Sequence, residues 1–264
     1  MCRIPCEIFI FQTVSFLLQC ATDPWMPVPE PFIPRKSPLQ MNRIVYACDI
    51  GSVKTGKFAW VRADLDADFA PVGSNDMGGL LDCLKSDLRG KSSIALGFEA
   101  PLFMPVPNEI GNLGSGRIGE GSRSMFAQSG ACAMALGCKQ IAFILRHMVS
   151  YKQTYELTFD ATSWMACAQP RILIWEAFVS GKTHAPVGED IRDAATAACY
   201  FHQHQACLEN ASKFIPSHYD CFSLIGSVAL WSGWLRNRRS VKEKCLVLKP
   251  DKMFSGNIRI HCRA

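Results

Sequence analysis

Apolar runs closed by single acids punctuate this chain. Arg43–Gly51 (RIVYACDIG) has the continuous apolar content of a buried strand and ends on Asp49. Gly51 and Gly56 turn the chain, and Lys57–Ala63 returns as the antiparallel partner. Ala67–Val72 fits a short third strand. Asp76–Leu88 sets Leu80, Leu81 and Leu84 at helical spacing, with Asn75 or Asp76 as its cap. Ser93–Phe98 is a second buried strand, closed by Glu99. Asn108–Ser124 (NEIGNLGSGRIGEGSRS) reads as a mobile, Gly-rich surface loop. Ser124–Tyr151 is a helix rich in small residues, suited to packing closely on a sheet. Arg171–Glu176 (RILIWE) is a third buried strand. Glu189–Leu208 and Phe222–Leu235 read as helices, and Cys245–Leu248 as a last short strand. This order predicts an α/β chain with a mixed sheet. Its first strands are antiparallel and its later strands are joined by helical crossovers.

Composition narrows the class. The chain has 264 residues, 48% of them hydrophobic and 10% aromatic, which excludes a disordered polymer and allows a substantial core. A formal charge of +5 is compatible with a polyanionic partner. The 13 cysteines are dispersed, with no C-x-x-C pair and no zinc-type Cys/His spacing, a usage that fits a reducing cytoplasm. The opening CEIFIFQTVSFLLQCA has the apolar content of a signal-peptide core. However, only Arg3 precedes it, Glu7 interrupts it, and it is short for a membrane span. The proline-rich DPWMPVPEPFIPRKSP that follows suits an extended linker. Residues 1–40 are therefore expected to be an extension outside the fold, 41–240 the folded domain, and 241–264 a C-terminal segment.

The strand-closing acids carry the candidate chemistry. In open α/β sheets ligands bind beyond the carboxyl ends of the strands. If the three buried strands are neighbours, Asp49, Glu99 and Glu176 converge on one edge. Asp190 and Asp193, in GEDIRDAATAACY, lie one helical turn apart, and Ala194 and Ala197 beside them permit close approach to a sheet. Carboxylates so gathered repel one another unless a cation lies between them. Oxygen donors without Cys or His select hard ions such as Mg²⁺ or Mn²⁺. The bland alternative is that acids commonly end strands, and that the helix dipole alone favours Asp190. No phosphate-binding G-x-x-x-x-G-K-[ST] loop is present, and His184 reads as a loop histidine.

Taken in order, DIGSVKTGKFAWV, ALGFEAPLF, RILIWEAF and EDIRDAATAAC resemble the ribonuclease H-like superfamily. The closest resemblance is to the uncharacterised family of predicted RNase H-like nucleases, with likeness also to the RuvC-like Holliday-junction resolvases. It spans residues 43–235 at the level of motif order. It implies a five-stranded mixed sheet flanked by helices and metal-dependent hydrolysis of nucleic-acid phosphodiesters by a two-metal mechanism. Asp49 matches the acid of the first strand, Glu99 the acid ending the fourth, and Asp193 the aspartate of the final helix. Asp190 takes the accessory position one turn earlier, and Glu176 matches an acid in the WEAF strand whose role the resemblance does not define. The chain departs from the pattern in having Lys54 and Lys57, but no second acid, in the hairpin turn.

Substrate phosphates require cations. Lys54, Lys57, Arg117 and Arg123 are the candidates. The late run RNRRSVKEK reads as a solvated tail or helix end in preference to a nucleic-acid patch. Trp60 and Trp175 read as core, and Trp231 and Trp234 as part of an apolar helix face. Two other classes fit less of the sequence. An actin-like ATP-dependent kinase shares the opening D-x-G hairpin but needs a second such domain, and a non-catalytic module would keep the fold alone.

Overall fold

The computed structural model describes residues 42–120, 128–179, 189–212 and 220–262. Residues 1–40, Arg123 and His184 lie outside the described residues. Met41–Ala264 is one compact unit.

The first strand, β1 (Arg43–Asp49), is buried on both faces through its centre, as its continuous apolar run requires. A tight turn leads into β2 (Ala59–Asp64), which pairs with β1 antiparallel, Asp49 opposite Ala59. The turn depends on Gly51, because a Cβ there would sit 2.0 Å from the Lys57 carbonyl oxygen. Gly56 closes it with φ at 68°, where a side chain is strained. The third strand, β3 (Val72–Ser74), starts where the expected Ala67–Val72 ends. Helix α1 (Met77–Arg89) is capped by Asp76, whose carboxylate accepts hydrogen bonds from the Gly78 and Gly79 amides at 2.9 Å. Leu80, Leu84 and Leu88 form its buried stripe.

After α1 come β4 (Ser93–Glu99) and the short β5 (Phe103–Val106), then α2 (Gln128–Met148). There follow β6 (Glu156–Thr158), α3 (Ala161–Ala166), β7 (Arg171–Ala177), α4 (Glu189–His204) and α5 (Leu208–Ala211). The stretch expected as one helix over Phe222–Leu235 divides into β8 (Asp220–Ser223) and α6 (Leu224–Trp231). Ser223 makes the division, because its hydroxyl accepts from the Gly226 amide and starts the helix there. The strands β9 (Val247–Leu248) and β10 (Arg259–Ile260) complete the chain.

These elements form a mixed eight-stranded sheet flanked by helices, ordered β10-β3-β2-β1-β4-β7-β6 with β9 pairing β7. The sheet is larger than the five strands expected. The additions are β6, β9 and β10, the last two from the C-terminal segment, which is woven into the sheet at two places. β5 and β8 form a separate two-stranded sheet.

The pleat gives the sheet two distinct faces. Ile44, Tyr46, Ile94, Leu96, Phe98, Ile172 and Ile174 point toward α1 and α2 into one core. Val45, Ala47, Ala95, Leu173 and Trp175 point toward α4 into the other. Gly97 leaves room on that second face, where an added Cβ would lie 2.3 Å from the Trp175 indole. Four of the seven buried residues of α4 are alanine, so the helix lies close to the sheet.

Candidate metal centre

β1 and β4 run parallel with Asp49 directly opposite Glu99. Alternation along each strand turns both carboxylates to the α4 face, in line with Val45 and Ala47 on one strand and Ala95 and Gly97 on the other. α4 crosses this face beside β1 and β2 with Ala194, Ala195, Ala197 and Ala198 buried. Gly73 admits Ile191 of the helix, since a Cβ would come within 2.9 Å of that side chain. Close seating of the N-terminal half of α4 brings Asp193 to the two strand acids. Asp49, Glu99 and Asp193 each offer a carboxylate oxygen within 4.8 Å of the others, and all three residues are half-buried.

The local field records this convergence. The Asp49 carboxyl is pushed up to about 7, first by burial and then by the negative charge of Asp190 and Asp193. Lys57 pulls the other way without overcoming them. Three oxygen donors with no sulfur or nitrogen make a hard-ion set, so the donors fit a divalent cation of the Mg²⁺ or Mn²⁺ kind. Asp190 stands one turn earlier on α4, 3.8 Å from the exposed Lys57 ammonium. It contributes to the field at Asp49 but is outside the group of three. The end of β1 is also tied to α2, because Gln140 donates a 2.6 Å hydrogen bond to the Gly51 carbonyl.

Two sequence expectations are overturned by geometry. Glu176 does not join the other acids. β7 pairs with β4 so that Glu176 lies opposite Phe98, not Glu99, and its side chain projects to the opposite face of the sheet. There it is fully buried and accepts a 2.9 Å bond from the Leu102 amide. Its charge is met by Arg117, whose guanidinium grips both carboxylate oxygens at 2.6 and 2.7 Å. Arg117 is thus a buried structural cation rather than a phosphate contact. It also bonds Glu120 at 3.1 Å, and it lies over the Phe103 ring, 5.0 Å from its centroid. Burial alone would lower the Arg117 pKa, but Glu176 and then Glu120 raise it above its ordinary value. The Gly-rich segment is consequently pinned at Arg117 and Glu120, both buried. The sequence signal was R-x-x-E in a loop, together with a buried strand glutamate that needed a counter-ion.

The remaining candidates fall as follows. Lys54 is exposed in the 3-10 turn Val53–Thr55, and Lys57 is exposed at its exit. Trp60, Trp175 and Trp234 are buried as expected, but Trp231 is 67% exposed. Among the described residues one helical stretch, Gly130–Gln153, is long and apolar enough to cross a membrane. Its Ile141, Ile144, Leu145 and Met148 are packed in the core on the α1 and α2 side of the sheet. Comparisons with protein-family models, with curated proteins and with solved structures returned no match.

Proposed function

We propose that this chain is a divalent-metal-dependent nuclease built on an RNase H-like sheet. The observation that carries the reading is the meeting of Asp49, Glu99 and Asp193, from two parallel strands and a crossing helix, within 4.8 Å. The central strands β3-β2-β1-β4-β7 support it, being antiparallel through the first three and parallel thereafter. Such a run is in keeping with the five-stranded mixed sheet that the sequence resemblance implies.

Asp49, Glu99 and Asp193 are the residues that would hold Mg²⁺ or Mn²⁺, with Asp190 in reserve for the two-metal form. A cation of this kind supplies a Lewis acid for phosphodiester hydrolysis. Asp49 must lose its proton before its oxygens can ligate, and near neutral pH that carboxyl is only part-ionised. Lys54 and Lys57, exposed on the hairpin turn beside Asp49, are positioned to meet substrate phosphates. Ten described cysteines are free thiols, in keeping with a cytoplasmic setting.

The test is cleavage of single- and double-stranded DNA and RNA with Mg²⁺, with chelator, and with Asp49→Asn. The proposal expects cleavage only with metal and only with Asp49 intact. Thermal stabilisation by ATP with Mg²⁺ in the absence of cleavage would support the kinase reading instead.

A further inference from the structure

Away from the acids, α2 and α6 pack together and bring two acid-free stretches of chain into one place. Gln128–Tyr155 contains Lys139, Arg146, His147 and Lys152 and no Asp or Glu. Cys221–Lys242 contains Arg236, Arg238, Arg239 and Lys242 and likewise no acid. The two are joined directly. The Trp234 indole donates to the Leu145 carbonyl at 2.8 Å, and the Lys152 ammonium donates to the Gly233 carbonyl. The last turn of basic residues is held against α6, where a Cβ on Gly226 would strike the Ser240 carbonyl oxygen at 1.9 Å.

Aromatic rings stand exposed on this basic surface. Trp231, at the end of α6, is 67% exposed, and the Arg146 guanidinium lies over it at 5.7 Å from the ring centroid. Phe143, one turn before Arg146 on α2, is 45% exposed, with the His147 ring 4.1 Å away. A tryptophan of the core would be buried, as Trp234 is three residues later. Trp231 therefore has an accessible face beside a cation and Phe143 an accessible edge beside the His147 ring, and Arg236, Arg238 and Arg239 follow, all exposed.

We propose that the α2–α6 surface, centred on Trp231, Arg146 and Phe143, binds single-stranded nucleic acid. Unpaired bases stack on exposed aromatic rings, while the surrounding cations neutralise phosphates. A duplex hides the base faces that Trp231 and Phe143 would stack against. An anionic membrane would engage the same cations, and the vesicle comparison below separates the two. Helix α2 also reaches the end of the sheet that bears the acids, from the face opposite to them. Gly137, farther back on α2, is seated against Ala100 and Ile50, the residues that follow Glu99 and Asp49. As the substrate-docking face of the nuclease this inference rests on the function proposed above. As a binding surface it stands alone.

Fluorescence anisotropy with a labelled oligothymidylate of about twenty nucleotides, longer than common single-strand site sizes, tests it in chelator so that no cleavage intervenes. The wild-type chain, Trp231→Ala and Arg146→Gln are compared over a salt series. The expected result is binding that weakens with salt, a loss of about 5- to 100-fold in Trp231→Ala, and a smaller loss in Arg146→Gln. Unchanged thermal melting of both surface variants would show that the fold is intact. Equal binding by wild type and Trp231→Ala, no binding at low salt, preference for a duplex of equal length, or binding only to phosphatidylserine vesicles would each overturn the proposal. Binding by this surface without metal-dependent cleavage would instead remove the nuclease reading and leave this one standing.

Discussion

Two acidic groups sit near one end of the same sheet, on opposite faces, and they are built on opposite principles. Glu176 is fully buried and meets a protein cation, Arg117, in a two-pronged grip. Asp49 is half-buried and faces further acids, Asp190 and Asp193, which push its carboxyl up to about 7. The first arrangement carries its own cation, which Glu176 shares with Glu120, and serves the fold. The second holds like charges together at a cost in stability, as expected where an external cation completes the site. One register offset separates them. β1 and β4 align acid with acid, whereas β7 meets β4 with its acid opposite Phe98.

The largest effect should come from removing the buried cation. Arg117→Ala leaves Glu176 and Glu120 buried without it and should cost about 3–5 kcal/mol of unfolding free energy, read by urea denaturation. Combining Arg117→Met with Glu176→Gln and Glu120→Gln should return most of that loss, because a neutral buried group carries no ionic desolvation. A Glu176 that bound metal would show no such rescue.

The opposite sign is expected at the acid centre. Asp49→Asn should stabilise the metal-free protein at pH 8 by on the order of 1–2 kcal/mol, since it removes a charge the fold disfavours. Added Mg²⁺ should raise the Tm of the wild type and leave that of Asp49→Asn unchanged.

The same contrast should appear in the pH dependence. The Asp49 carboxyl has an ordinary value of 3.8 and is raised to about 7 in the folded chain. Between those values the folded state holds a proton that the unfolded state has released. The Asp49 contribution therefore makes metal-free stability fall as pH rises from about 4 to about 7, then level off. Saturating Mg²⁺, which binds the ionised form, should flatten or reverse that fall in melting curves recorded across the range.

The smallest effect belongs to the exposed edge. Lys57 is 67% exposed and 3.8 Å from Asp190, so Lys57→Ala should change stability by less than about 0.5 kcal/mol. If Lys57 meets substrate, the same change should weaken nucleic-acid binding and steepen neither melting nor unfolding.

Much of the fold was legible because local rules and tertiary demands agreed. β1, β4 and β7 announced themselves as apolar runs, the Asp76 cap marked the start of α1, and the D-x-x-D-A-x-x-A pattern marked a helix able to lie close to a sheet. Asp49, Glu99 and Asp193 were legible for the same reason. Glu176 was not separable from them, since RILIWE and SIALGFE read alike. Both strands are buried on both faces, so their continuous apolar runs do not mark which face the closing acid takes. Arg117 was hidden by its glycine-rich surroundings, which suggested a mobile loop where a buried counter-ion holds the chain. The split of β8 from α6 turned on Ser223 acting as a cap within an apolar run. β5, with Pro105 in its middle, lacks a strand's signature. Trp231 read as core because the apolar run continues past it, but α6 ends there and its ring emerges.

If Asp49, Glu99 and Asp193 together hold a divalent cation, crystals grown with Mn²⁺ will reveal it by anomalous scattering. An anomalous peak is expected at about 2.0–2.3 Å from carboxylate oxygens of all three residues, lost in Asp49→Asn. Well-diffracting crystals with no peak there, or with Mn²⁺ bound elsewhere while these three carboxylates stay unligated, would contradict it.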